Sequence, residues 1–201
     1  MPQSRPYDTQ LAKGDYRKQR ILEVAQRSLT RNGWRNTTLA QIAREAGVSP
    51  AGLLHHFDSK EQLLHAVVDI RDADDIAHAD RAGDLIAEIA RVPERFDRTP
   101  ELMGAFTVLL VENLLPDAPL HDRLLTRYRD AIGIVAELIR RGQEAGRYRA
   151  EVDPDIKALE VLAFVNGMET TWLLDPSIPL TEVFKGYAES LARELEPPST
   201  T

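Results

Sequence analysis

Between residues 37 and 60 the chain reads Thr37-Thr38-Leu39-Ala40-Gln41-Ile42-Ala43-Arg44-Glu45-Ala46-Gly47-Val48-Ser49-Pro50-Ala51-Gly52-Leu53-Leu54-His55-His56-Phe57-Asp58-Ser59-Lys60. This is the pattern of two short helices about a tight turn, followed by the start of a third. Thr38 stands three residues before Gln41, the spacing of a capping box that starts a helix at Leu39. Leu39, Ile42, Ala43 and Ala46 then recur along one helical face. Gly47 ends that helix, because a glycine just past the last turn takes up the left-handed backbone without a Cβ clash. Ser49 can cap a second helix, and Pro50 suits its first position, where no amide donor is needed. Val48 and Leu53 have the spacing of a hydrophobic staple across that cap. Two helices joined through a glycine turn of this length form a helix-turn-helix, whose second helix enters the major groove of DNA.

The run Thr37-Thr38, Ile42-Ala43, Ala46-Gly47-Val48-Ser49, then Leu53, His56-Phe57, Lys60-Glu61 and Leu63, resembles the TetR family of bacterial transcriptional regulators. The motif match extends over residues 21–64; the rest agrees only in length, helicity and arrangement. The resemblance implies an all-α fold, in which an N-terminal three-helix head with its helix-turn-helix joins a larger helical ligand-binding and dimerisation domain. It also implies a cytoplasmic homodimer that represses transcription from double-stranded operator DNA and is released by a small molecule. One position departs from the family. A tyrosine whose hydroxyl touches a DNA phosphate usually stands where this chain has Leu54.

Charge distribution agrees with one-ended DNA contact. The whole chain carries −7, which taken alone argues against nucleic acid, but residues 1–65 carry +4 and the remainder −11. A basic head on an acidic body suits a module that meets phosphate with one end. With 43% hydrophobic and 28% charged residues, the 201-residue chain has the composition of a folded protein with a substantial core. It contains no cysteine, so disulfides and thiolate metal sites are excluded. No signal-peptide pattern opens the sequence and no apolar run is long enough to span a bilayer, so the cytoplasm is the expected location.

Taken in order, residues 1–14, with Pro2, Pro6 and Gly14, are expected to form a flexible arm. A helix over 15–32 buries Ile21, Leu22, Ala25, Ser28 and Leu29, and Gly33 stops it, with Trp34 folding back toward Leu29. The head therefore covers residues 15–58. Residues 59–196 are the helical effector-binding and dimerisation domain, and 197–201 a disordered tail. Within that domain, helices are predicted from Ser59 toward Ala79 and from 84 to Val92, the latter broken by Pro93. Others follow over 101–115, 120–145, 155–174 and 181–194, with Pro116, Pro119, Gly146, Pro176 and Pro179 as punctuation.

Helix phase divides the recognition segment. Leu53 and Phe57 face the head's core, leaving Ser49, Pro50, Ala51, Gly52, Leu54 and His55 toward DNA. This surface is small and offers no Arg, Asn or Gln for bidentate base contacts. Ala51 and Leu54 can meet thymine methyls, Gly52 permits close backbone approach, and His55 is the polar candidate for a base or phosphate. His56 braces the head and touches the backbone. Thr37, Thr38, Gln41, Arg44 and Lys60 are the expected phosphate-positioning residues.

The helix over 155–174 is apolar on more than one face and so must be covered nearly all round. Leu159, Leu162 and Val165, with Val183, Phe184, Tyr187 and Leu191 of the last helix, are candidates for a twofold interface, which is the family's dimer arrangement. In the family, the body helices also enclose an effector cavity whose occupancy tilts the fourth helix and changes the spacing of the heads. Here Phe106, Leu110, Tyr128, Ile132, Phe164, Met168 and Trp172 would line it, with Asn113, Asn166 or Glu169 orienting an apolar or aromatic ligand.

Other chemistry finds little support. The chain has no glycine-rich phosphate loop, nucleophile elbow or His-Glu-x-x-His motif, and neither catalysis nor a cofactor is expected. His55 and His56 diverge by about 100° on a helix and do not share a metal ion. His65 and Asp69 share a helix face, but a solvated acidic face accounts for them and no metal is expected. The alternative to a ligand-released repressor is a constitutive DNA-binding regulator without an effector; a helical enzyme is remote.

Overall fold

The computed structural model describes residues 6–78 and 83–197, with side chains described from Gly14 onward. The tip of the expected N-terminal arm, residues 79–82 with the expected end of the fourth helix at Ala79, and the end of the expected tail lie outside the described residues. Among the described residues the regular structure is entirely helical: α1 Pro6–Asn36, α2 Leu39–Ala46, α3 Pro50–Leu54, α4 Lys60–His78, α5 Leu85–Arg98, α6 Pro100–Glu112, α7 His121–Glu144, α8 Pro154–Leu174 and α9 Leu180–Leu195. This is the all-α fold that the sequence predicts.

Chain contacts define two compact units. One contains Met1–Asp74 with Glu101–His121, and the other Asp75–Pro100 with Asp122–Thr201. In the first unit, α1 begins at Pro6, earlier than the residue-15 start expected from the sequence. Its helical geometry breaks at Gly33, where φ is 71° and ψ 170°. The core beneath it is Ile21, Leu22, Val24, Ala25 and Leu29 of α1 against Ile42, Ala43 and Ala46 of α2, Leu53 of α3 and Phe57. α4 adds Leu63, Leu64, Val67 and Val68, and α6 adds Leu102, Met103, Ala105, Phe106 and Leu109, all buried.

In the second unit, α5 packs against α9. Phe96 of α5 meets Phe184 of α9 and Trp172 of α8 edge-on, with ring centroids 5.8 and 5.6 Å apart. Phe164 of α8 stacks on Tyr187 of α9 at 3.6 Å and meets Phe184 edge-on. Asp153 caps α8 by accepting from the amides of Asp155 and Ile156. The buried Lys157 bonds Glu160 on its own helix and Glu194 on α9.

Pro93 does not break α5, which runs on to Arg98. A proline removes one intrahelical donor and crowds the preceding turn, but Pro93 is buried and the helix gains Phe96 as a core anchor by continuing. α6 ends at Glu112 rather than 115, leaving Leu114 and Leu115 exposed. Of the expected dimer residues, Val165, Phe184 and Leu191 are buried by the chain itself, and Leu162, Val183 and Tyr187 are half-buried. Leu159 is 48% exposed, and Ile156 on the same helix 55%.

Candidate nucleic-acid interface

Local chemistry sets the helix-turn-helix. Thr38 Oγ1 accepts from the Gln41 amide at 3.2 Å and starts α2. The reciprocal half of the capping box does not form, because the Gln41 side chain donates to Glu45 instead. Gly47 has φ 69°, and its N–H reaches Arg44 O while that of Val48 reaches Ala43 O. That pair of bonds is a Schellman ending, and the left-handed residue within it is why glycine is needed there. Ser49 Oγ then accepts from Gly52 N at 3.0 Å, and Pro50 occupies the first turn of α3.

This turn orients the recognition segment as helix phase predicts. Leu53 and Phe57 are buried, whereas Ser49, Pro50, Ala51, Leu54 and His55 are exposed and Gly52 is half-exposed. Leu54 is 46% exposed, an apolar side chain presented to solvent at the position of the family's tyrosine. The His55 and His56 rings lie 5.6 Å apart, near edge-on. Partial burial lowers the His56 pKa from its ordinary value, and His55, Lys18 and Arg17 push it the same way. A nearby phosphate would act in the opposite sense.

The expected phosphate-positioning residues do not all reach the surface. Thr38 and Arg44 are exposed and Gln41 half-exposed, but Thr37 is 1% exposed. Its hydroxyl lies 2.7 Å from Gly33 O and 3.3 Å from Ser28 O, so Thr37 fastens the end of α1 rather than presenting a hydroxyl to DNA. Lys60 is half-buried at the start of α4, with its ammonium 4.1 Å from the centre of the Trp34 ring. Desolvation lowers its pKa, while the Glu112 carboxylate acts to raise it. Sequence reading missed both neighbours, since their approach depends on the Gly33 break and on how α6 packs.

The expected effector residues divide between the two units: Phe106, Leu110 and Asn113 fall in the first, the others in the second. Asn113 uses both ends of its amide in the connection from α6 to α7, donating to Leu109 O at 2.7 Å and accepting from Leu120 N at 3.1 Å. Phe106 is buried with the Arg71 guanidinium 5.2 Å from its ring centre. Glu169 is buried; Leu110, Tyr128, Ile132, Asn166 and Met168 are half-buried. Phe164 and Trp172 belong to the aromatic cluster with Phe96, Phe184 and Tyr187. A cavity of about 210 Å³ is instead lined by Asp75, His78, Glu88, Arg91, Val92, Glu94, Arg95 and Arg98. No cluster of three or more metal-ligating side chains occurs among the described residues, and none of their helices is long and apolar enough to cross a membrane.

A capped helix-turn-helix on a basic, all-helical head defines a DNA-binding transcriptional regulator. Residues 21–67 match the family model for bacterial regulatory proteins of the tetR family. In its helix-turn-helix head the chain is therefore similar to the tetR-family regulators. It is 28% identical over 184 residues to the HTH-type transcriptional regulator TtgR of Pseudomonas putida, a match covering 78% of this chain and 80% of that one. It is 36% identical over 105 residues to the regulator BetI of Agrobacterium fabrum, covering 48% and 50% of the two chains. Among solved structures, the fold is shared with SmeT in its triclosan complex, at TM-score 0.75, 20% identity and coverage of 88% and 91%. NalD of Pseudomonas aeruginosa also shares it, at TM-score 0.74, 19% identity and coverage of 92% and 98%.

Proposed function

We propose that this regulator is a homodimeric repressor of a palindromic operator, released by a small apolar or aromatic effector. The observation that carries the DNA-binding part is the exposed face of α3, held in place by the Ser49 cap and the buried Leu53 and Phe57. In this reading residues 15–58 bind DNA and residues 59–196 serve effector binding and dimerisation. Thr38, Gln41, Arg44 and Lys60 hold phosphate, while Ala51, Leu54 and His55 meet base edges. A surface so poor in donors reads sequence through thymine methyls and through the shape of the groove. The SmeT–triclosan complex supports an effector by showing that this fold is compatible with a small-molecule ligand.

A second reading, a constitutive regulator without effector, is favoured by the packing of Phe164 and Trp172 and by the use of Asn113 within the fold. One experiment separates them. Labelled genomic duplexes selected for binding are titrated with the protein, and the complex is then challenged with a panel of hydrophobic compounds. Release of duplex, with a raised melting temperature for the same compound, supports the repressor with effector. Binding that no compound disturbs leaves the constitutive regulator, and absence of sequence-selective binding overturns both.

A further inference from the structure

Glu112 ends α6 with its carboxylate directed at the kink near the end of α1. Gly33 interrupts the helix there with φ 71°, and the next amide, that of Trp34, donates to Glu112 Oε2 at 2.5 Å. The approach is close enough that a Cβ on Gly33 would stand 2.7 Å from Glu112 Oε1. Lys60 completes the group, its ammonium over the Trp34 ring at 4.1 Å and influenced electrostatically by Glu112. All four residues belong to one compact unit.

We propose that Glu112 and Trp34 form an internal dock for the Lys60 ammonium that competes with DNA phosphate, making Glu112 a positioning residue for DNA binding. The inference rests on reading Lys60 as a phosphate contact. Lys60 lies in the first turn of α4, where the helix dipole disfavours a cation unless an anion stands nearby. Glu112 supplies that anion in the free protein, and phosphate supplies it in the complex. The aromatic face adds an attraction of the kind that cations find over tryptophan. Each ammonium must leave this dock to make its phosphate contact, so the dock lowers affinity for every DNA sequence alike. Because Glu112 terminates α6, any displacement of that helix changes how firmly Lys60 is held.

Glu112→Gln tests the dock with little risk to the fold, because the amide oxygen still accepts from the Trp34 N–H while the charge is removed. DNA affinity is measured by fluorescence anisotropy for the wild type, Glu112→Gln, Lys60→Ala and the double variant, on an operator and on an unrelated duplex. Glu112→Gln is expected to tighten both duplexes by about two- to fivefold, the range of an attraction between partly exposed opposite charges. The gain should vanish in the Lys60→Ala background. With Trp172→Phe as the starting chain, Trp34 is the one remaining tryptophan; its emission should shift on DNA binding only when Lys60 is present. A gain that persists without Lys60 marks long-range repulsion by Glu112 and overturns the dock. No gain in either background reduces Glu112 to a brace for the Gly33 turn and overturns it equally. If Lys60→Ala itself leaves affinity and salt dependence unchanged, the reading of Lys60 as a phosphate contact fails, and the dock fails with it.

Discussion

At the scale of single residues, Leu54 sets the character of the DNA-facing surface. Its exposure costs apolar hydration in the free protein, and only contact with an apolar group on DNA offsets that cost. Leu54→Tyr restores the hydroxyl usual in the family and should strengthen binding through a phosphate hydrogen bond, by about 0.5–1.5 kcal/mol. Operator titration checks this; weaker binding by a folded variant would show that Leu54 itself packs against a base. His56 gives a pH dependence of defined sign. Its folded pKa lies below the ordinary value of 6.5. The folded protein therefore binds fewer protons there than the unfolded chain once pH falls through that range, and stability declines on acidification. His56→Gln should lose less melting temperature than the wild type between pH 7.5 and 5.5. An equal loss in thermal melts would assign the acid sensitivity to other groups.

At the scale of elements, the caps were legible in the sequence and several helix ends were not. Thr38, Gly47, Ser49 and Pro50 act within a few residues of themselves, so their spacing alone announces α2 and α3. Pro93 is a local breaker overruled by tertiary burial, and the sequence does not display that burial. Thr37 likewise looks like a surface hydroxyl until the end of α1 closes over it. Gly146 shows the limit from the other side. Its position as the stop of α7 is readable, and φ is 67° as expected. The role of Gly142 is not readable, because it depends on a ring arriving from beyond the turn. A Cβ on Gly142 would lie 2.0 Å from Tyr148 Cδ2, so Gly142→Ala must displace the tyrosine ring. The Tyr148 hydroxyl donates to Asp84 at 3.0 Å, and burial with the Asp84 carboxylate pushes its pKa up to about 12. We expect Gly142→Ala to destabilise the fold by about 1–3 kcal/mol, the usual range for overpacking. It should also return the tyrosine titration toward its ordinary value. Denaturant unfolding and ultraviolet titration measure the two effects, and an unchanged midpoint would show that the ring yields freely.

At the scale of the whole molecule, assembly depends on which faces the chain leaves uncovered. The sequence places the apolar stripe of the last helix at a twofold interface, yet α9 turns Phe184 and Leu191 into its own unit, where Phe96 meets Phe184. Those two side chains therefore stabilise the protomer, whereas α8 leaves Ile156 and Leu159 uncovered, with Leu174 at its end 86% exposed. Two recognition helices can occupy successive major grooves, about 34 Å apart, only if a twofold partner fixes their separation. A dimer through this face of α8 would supply that partner and remove the exposed leucines from water. Leu159→Glu places a carboxylate, and its symmetry mate, on such a surface. Sedimentation equilibrium at micromolar concentration should then give a monomer with unchanged helical circular dichroism. Operator affinity should fall by at least about tenfold, because each head then binds its half-site without the effective concentration that the second supplies. A dimer that survives Leu159→Glu would move the interface to another face. A wild-type monomer that still binds a palindrome tightly would show that the two heads assemble on DNA rather than before it.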